Sequence, residues 1–404
     1  MNRETPSNPN NGLRILFVAT KPAYPPLDGG RLLIWNTLTE LASRGHRVTY
    51  IAPDLGEDTA GPQHHLESVC ESVHLVPAQP TGLAWSAAAA LLTRKPLSVL
   101  RHTHRNVQRV IVEQLDGQPF DVIHAEQIQA FYNLPLTGDC PPVVLRAQNV
   151  ESQLWRMLAI RNPRAAWITR DEARRMAVCE AQAVRKAAAT VALTHHDAET
   201  LAGGAGTSDR RISVIRPPFP TPLPSSDEPL GGDPPVVLSA SGWLPNRDSL
   251  AWFLQDIWPS ILRVNPDAHA HIFSGDRETA GPSVSCHSPP DDSTQLFRPG
   301  SVLVVPLRIA SGIRMKILEA WARGVPVVAT PTAMRGLDDV GENAFLLARD
   351  GPEFGDAVAR LRENPELTQS LVEAGRSALD LQFQPQQVAD HLETAYRRAI
   401  SGIR

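Results

Sequence analysis

Arg314, Lys316 and Glu319 fall within one stretch, S-G-I-R-M-K-I-L-E-A-W-A-R-G-V-P-V-V-A-T at residues 311–330, which sets two cations and a carboxylate on a single short helix. Cations at a helix start oppose the helix dipole. Their placement makes chemical sense when an anion sits there, because the first turn also offers unpaired N–H groups to a phosphate. Glu319, further along, is placed to accept from a pair of ribose hydroxyls. A plainer reading uses the same residues: Glu319 and Arg323 form an i,i+4 pair in the favourable orientation, worth about 0.2–0.5 kcal/mol on a solvated helix face.

The flanking residues say how such a helix would be held. S-V-L-V-V-P-L at residues 301–307 is an apolar, β-rich run of the kind a buried parallel strand requires, and V-P-V-V-A-T at 325–330 reads as the next one. Ser311 is the expected N-cap and Gly324 sits where a left-handed C-terminal residue belongs. The unit is β-α-β, and ligands of such sheets collect outside the carboxyl ends of the strands.

The chain as a whole has 404 residues, too many for one ordinary core and suited to two domains. It is 42% hydrophobic and 20% charged with a formal net charge of −4, which fits a globular protein and argues against a nucleic-acid polymer as partner. Cys70, Cys140, Cys179 and Cys286 lie far apart without metal-ligand or framework spacing, so a reducing cytoplasm is the expected compartment. Neither a leader peptide nor a membrane-spanning apolar run is expected. L-A-W-S-A-A-A-A-L-L at 83–92, followed by Arg94, Lys95, Arg101 and Arg105, reads either as a buried helix pair or as a face for an anionic bilayer, so at most peripheral membrane contact is expected.

Pattern alternation predicts a doubly wound α/β fold with parallel sheets in both halves. After a disordered tail at 1–12, a first domain spans 13–216, with strands at 13–20, 48–52, 73–76, 122–124, 143–147, 190–193 and 212–215. The run P-P-F-P-T-P-L-P-S-S-D-E-P-L-G-G-D-P-P at 217–235 is the expected linker. A second domain spans 236–384, with strands at 236–241, 269–273, 302–306 and 325–329, and a final helix lies within 385–404. Asp28, Gly29 and Gly30 fill the loop after the first strand, where missing side chains suit either backbone approach to a ligand or a simple turn. His124 stands at the carboxyl edge of its strand, either as a cleft residue or as a satisfied edge histidine.

The stretch Gly312, Arg314, Lys316, Leu318, Glu319 and Ala320, G-x-R-x-K-x-L-E-A, followed by Gly324, Pro326, Val327 and Val328, resembles the donor-binding helix of family 4 glycosyltransferases, retaining enzymes with the GT-B fold. The family's usual first glutamate falls at Ser311, which bears on the sugar end of the site. P-P-L-D-G-G at 25–30 with R-G-H-R-V at 44–48 resembles the family's opening, and places Gly29 and Gly30 beside the donor diphosphate. D-V-I-H at 121–124 resembles its acceptor-domain motif, in which the histidine contacts the transferred sugar. Q-N-V-E at 148–151 resembles an H-N-V-E stretch that makes Asn149 and Glu151 acceptor contacts, although Asn149 also reads as an N-cap. S-G-W-L-P-N-R-D at 241–248 contributes Gly242 and the cation Arg247.

The resemblance implies a hexosyltransferase that uses a nucleoside diphosphate sugar as co-substrate, without a cofactor, and a hydroxyl acceptor, glycan, small-molecule or lipid-linked; the residues themselves, with three cations and no metal-ligand spacing, predict metal independence. Arg247, Arg314 and Lys316 would neutralise the diphosphate, Glu319 would hold the ribose, and Ser311 and Gly312 would line the sugar side. The adjacent Asp291 and Asp292 lack the D-x-D spacing of metal-dependent transferases. A sugar-nucleotide 2-epimerase of the same architecture, or a catalytically silent binding protein, are the competing readings.

Overall fold

The computed structural model describes residues 12–402 except 55, 57–59, 79–89, 91–92, 137–139, 208–211, 225, 241–243, 275–282, 289–292 and 341. The tail at 1–11, most of the 83–92 segment, Gly242, and Asp291 with Asp292 therefore lie outside the described residues.

Among the described residues the first sheet has seven strands: β1 (Arg14–Val18), β2 (Arg47–Asp54), β3 (Ser72–Pro77), β4 (Val122–Glu126), β5 (Val143–Ala147), β6 (Ala189–Ala192) and β7 (Ile212–Val214). They run parallel in the order β3-β2-β1-β4-β5-β6-β7. The second has six, also parallel: β8 (Pro235–Ser239), β9 (His269–Phe273), β10 (Val284–His287), β11 (Val302–Val305), β12 (Val327–Ala329) and β13 (Leu346–Leu347), in the order β10-β9-β8-β11-β12-β13. Every residue of β4, β5 and β11 is buried, as a parallel strand covered on both faces demands.

Six helices matter for the site: α1 (Gly29–Ser43), α2 (Glu151–Arg161), α3 (Ala166–Lys186), α4 (His195–Ala205), α5 (Met315–Arg323) and α6 (Pro385–Ser401). Helix α6 belongs to the first core: Val388, Leu392 and Tyr396 pack with Ile15, Phe17, Ile34 and Val144. Arg44, just past α1, fastens it further through Asp390 (2.6 Å) and Glu393 (3.0 Å). The core beneath α5 is continuous with the first half, because Leu33, Leu193 and Phe219 pack with Met315, Ile317 and Trp321.

Strand order reverses between β1 and β4 in one sheet and between β8 and β11 in the other. Such reversals open a crevice at the strands' carboxyl ends. Here the two crevices face each other. A Cβ on Gly29 would come within 3.0 Å of Met315, and one on Gly312 within 2.2 Å of the Gln148 carbonyl oxygen. Among the described residues no helix is long and apolar enough to cross a membrane.

Candidate functional site

Helix α5 starts later than the sequence suggests. Its N-cap is Arg314, with φ −85° and ψ 92°, and Ser311 does not cap it. Gly312 at φ 72° holds the approach out of helical conformation. The Ser311 hydroxyl is committed across the domain boundary, accepting from Val150 N–H at 2.8 Å and donating to Asp197 Oδ1 at 3.1 Å. Asp197, on α4, is itself held by the Thr194 hydroxyl at 2.8 Å. In the orientation that satisfies its amide, Asn149 donates to Ser311 O at 2.8 Å and Gln148 O at 3.1 Å. Ser311, Gly312 and Asn149 thus form the seam between the halves.

Arg314 lies against this seam with 6% of its surface exposed, and none of its guanidinium nitrogens has a hydrogen-bond partner among the described residues. Burial lowers its pKa to about 10, against the pull of Asp197 and Asp338, so it stays charged at neutral pH. Lys316 donates to the Ser239 carbonyl at the end of β8, 2.6 Å away, and burial lowers its pKa to about 8. Neither cation has a carboxylate within ion-pair distance among the described residues. A buried guanidinium without an acceptor is costly unless something else supplies one. Glu319 faces Arg323 at 4.0 Å, while Arg323 also holds Ser293 and Thr294.

Across the crevice, the loop after β1 is stiffened by Asp28. Its carboxylate caps α1, accepting from Gly30 N–H (2.9 Å) and Arg31 N–H (3.0 Å), and receives Lys21 Nζ at 2.6 Å. Burial would raise the Asp28 pKa, but the Lys21 charge and these hydrogen bonds bring it below the usual value. The Gly30 N–H that the sequence offered to a phosphate is therefore already taken by Asp28. Glycine at 30 serves packing as well, since a Cβ there would approach Gln148 Oε1 to 3.1 Å.

His124 has no exposed atom. Its Nε2 meets Glu126 at 3.0 Å, its Nδ1 meets the Tyr396 hydroxyl of α6 at 2.7 Å, and its ring stacks on Phe17. Burial lowers its pKa, so the neutral ring donates from Nε2 to Glu126 and accepts from Tyr396. The side chain does not reach the crevice surface. It backs a buried network instead. Glu126 takes a forked contact from Arg146, with Nε at 2.9 and 3.0 Å, and a third donor from Gln148 at 3.0 Å. Gln148 accepts from Gln127 (2.7 Å), which accepts from Thr20 (2.6 Å), and Arg146 Nη1 donates to Thr37 on α1 (3.0 Å). Burial would raise the Glu126 pKa, yet Arg146 and His124 lower it to about 2.

Glu151 opens α2 beside this seam, half-buried, and burial together with nearby Glu180 raises its pKa to about 7. Arg247 is exposed and is not drawn into the seam. The neighbouring cation that is anchored is Arg308, paired with Asp248 at 2.8 Å and stacked over Trp252. The sequence reading missed Glu126, Gln148 as its donor, Asp197 and Arg308. Glu126 had a signal: it lies two residues after His124 on a buried strand, and its register partner on β5 is Arg146.

Comparison with known proteins adds two family matches that between them take in most of the chain. Residues 29–218 match the family described as "Glycosyl transferase 4-like domain", and residues 234–364 match "Glycosyl transferases group 1". An uncharacterised 44.6 kDa protein in the cps region of Klebsiella pneumoniae is 23% identical over 388 residues, 87% of this chain and 91% of that protein. Among solved structures, Anabaena Alr3699/HepE in complex with UDP-glucose superposes with a TM-score of 0.63 at 15% identity, covering 95% of this chain and all of that one. Sucrose-phosphate synthase from Thermosynechococcus elongatus gives 0.66 at 15% identity, over 96% of this chain and 99% of the other.

Proposed function

We propose, for a chain that belongs to the glycosyltransferases and has their two-domain GT-B fold, that it is a retaining, metal-independent hexosyltransferase. The observation that carries this reading is the Arg314 guanidinium, buried and unpartnered at the head of α5 beside Lys316. A nucleoside diphosphate would supply the acceptors that Arg314 lacks and the negative charge that neither Arg314 nor Lys316 meets among the described residues, and its charge would be met by side chains in place of a metal. The bound UDP-glucose of the Anabaena structure supports a nucleotide-sugar donor.

In the proposed reaction the bond from the anomeric carbon to the diphosphate oxygen breaks and a bond to the acceptor oxygen forms on the same face. The acceptor proton passes to the departing phosphate oxygen or to Glu151, whose raised pKa suits proton exchange near neutrality. Arg314 and Lys316 act on charge that grows as the diphosphate leaves, so they favour the transition state over the ground state. Glu319 receives the ribose hydroxyls, and Arg247 approaches the diphosphate when the halves close. Asn149 lines the acceptor side at the seam. Gly242 contributes backbone beside the diphosphate, Gly29 and Gly30 let α1 come close, and Ser311 and Gly312 shape the sugar side. His124 orients the sugar indirectly, through the buried Glu126–Arg146–Gln148 network that fixes the strand ends behind the crevice. No cofactor is needed.

The test is a panel of nucleoside diphosphate sugars incubated with candidate hydroxyl acceptors in EDTA, read by nucleoside diphosphate release and by the anomeric configuration of the product. Acceptor-dependent release with retention is expected. Conversion of the donor without an acceptor would point instead to the 2-epimerase, and a donor that binds without reacting to the silent binding protein.

A further inference from the structure

The hairpin formed by α2 and α3 ends in a tip with exposed apolar side chains, beside the point where Arg161 at the end of α2 pairs with Asp248 of the second half at 3.9 Å. Ile160 closes α2 with 75% of its surface exposed, and Trp167 and Ile168 open α3 with 74% and 52% exposed. Among the other described tryptophans, Trp321 and Trp258 are buried and Trp35, Trp155 and Trp252 half-buried. Three large apolar side chains bared at one turn mark a docking surface.

Charge says what it docks to. Between residues 156 and 175 the chain carries six arginines against Asp171 and Glu172, in a protein whose formal net charge is −4. Glu172 is buried and Asp171 is paired with Arg175. Arg164, Arg170 and Arg174 are exposed, and among the described residues none of them has an ion-pair partner. On α3, Trp167, Arg170 and Arg174 recur at i, i+3 and i+7, so indole and guanidinium groups share one face. Apolar side chains ringed by arginine, with tryptophan at the border, match the interface of a bilayer that carries negative headgroups.

We propose that the α2–α3 tip is a peripheral docking site for an anionic lipid bilayer. Helix α2 links this surface to the seam at Glu151, its 11 residues spanning about 16 Å. The inference rests on this surface alone and does not depend on which donor or acceptor the crevice takes.

The experiment is co-sedimentation of the full chain with phosphatidylcholine vesicles, with and without phosphatidylglycerol, at low and high salt. Binding is expected only with phosphatidylglycerol, and weaker in high salt. Trp167→Ser with Ile168→Ser should abolish it. Arg164→Gln and Arg170→Gln should each lower the partition coefficient about fivefold. Leu381→Ser, which removes an equally exposed apolar side chain (70%) on another helix, should leave it unchanged. All of these positions are on the surface, so melting temperatures should stay at the wild-type value. Absence of sedimentation, or binding untouched by the tip variants, would overturn the proposal. A concentration-dependent dimer in light scattering that Trp167→Ser dissolves would also overturn it, by assigning the face to a second copy of the chain.

Discussion

Arg314→Met is expected to raise the melting temperature of the ligand-free protein while lowering turnover by about two orders of magnitude. The two effects have one cause. The guanidinium is nearly fully buried, its three nitrogens lack acceptors, and burial has moved its pKa down to about 10, all of which mark an uncompensated charge. Replacing even a paired buried ion by apolar side chains of similar volume is often neutral or stabilising by about 1–4 kcal/mol, and an unpaired one carries the desolvation cost without the pairing that offsets it. Methionine fills the space without the charge. What it cannot do is stabilise a departing diphosphate, and losing one preorganised donor of that kind costs about 2.7–4 kcal/mol of barrier. Paired thermal melts and steady-state kinetics check both halves. A variant that melts lower than wild type would show that Arg314 has a structural partner, and one with unchanged turnover would remove it from the reaction.

The second large effect falls on Arg146. Arg146→Ala leaves Glu126 buried with no cation, and breaking such a pair costs about 3–5 kcal/mol. The pH dependence should also change sign. In the wild type the Glu126 pKa is about 2, below its ordinary value of 4.5, so the stability it contributes is present above pH 4.5 and lost as pH falls toward 2. Without Arg146, burial dominates and raises that pKa above its unfolded value. Glu126 is then more easily buried when protonated, so the variant should regain stability on acidification. The measurement is the difference in melting temperature between variant and wild type at pH 5 and pH 7, which removes the contribution of Glu151 and other shared groups. A difference that does not narrow at pH 5 would mean that Glu126 keeps another counter-charge. Glu126→Gln with Arg146→Met should recover part of the loss.

The frame of the fold was readable because parallel strands buried on both faces are continuous apolar runs, as at 302–305 and 143–147. Strands β10 and β13 were not. The first, V-S-C-H, is a half-buried edge strand without an apolar run, and the second is two residues long. Gly324 was legible as a helix end because its left-handed φ of 76° is a local requirement. Ser311 was misread as the N-cap because its partners, Val150 N–H and Asp197, lie more than a hundred residues away in sequence. Arg314 and Lys316 stood out by charge at a helix start, yet the feature that matters most, the missing partner of Arg314, exists only in three dimensions. His124 showed the reverse: a polar residue at a strand edge looked like a surface contact until Phe17, Glu126 and Tyr396 closed around it.

The central claim is that the buried cations at the head of α5 form a diphosphate site. Calorimetric titration in EDTA, comparing each nucleoside with its diphosphate on wild type and Arg314→Met, tests it most directly. One diphosphate should bind about two orders of magnitude more tightly than its nucleoside, as charge-assisted hydrogen bonds of about 1.5–3 kcal/mol require, and the variant should lose most of that margin. Equal affinity for nucleoside and diphosphate, or a margin that survives in Arg314→Met, would contradict it.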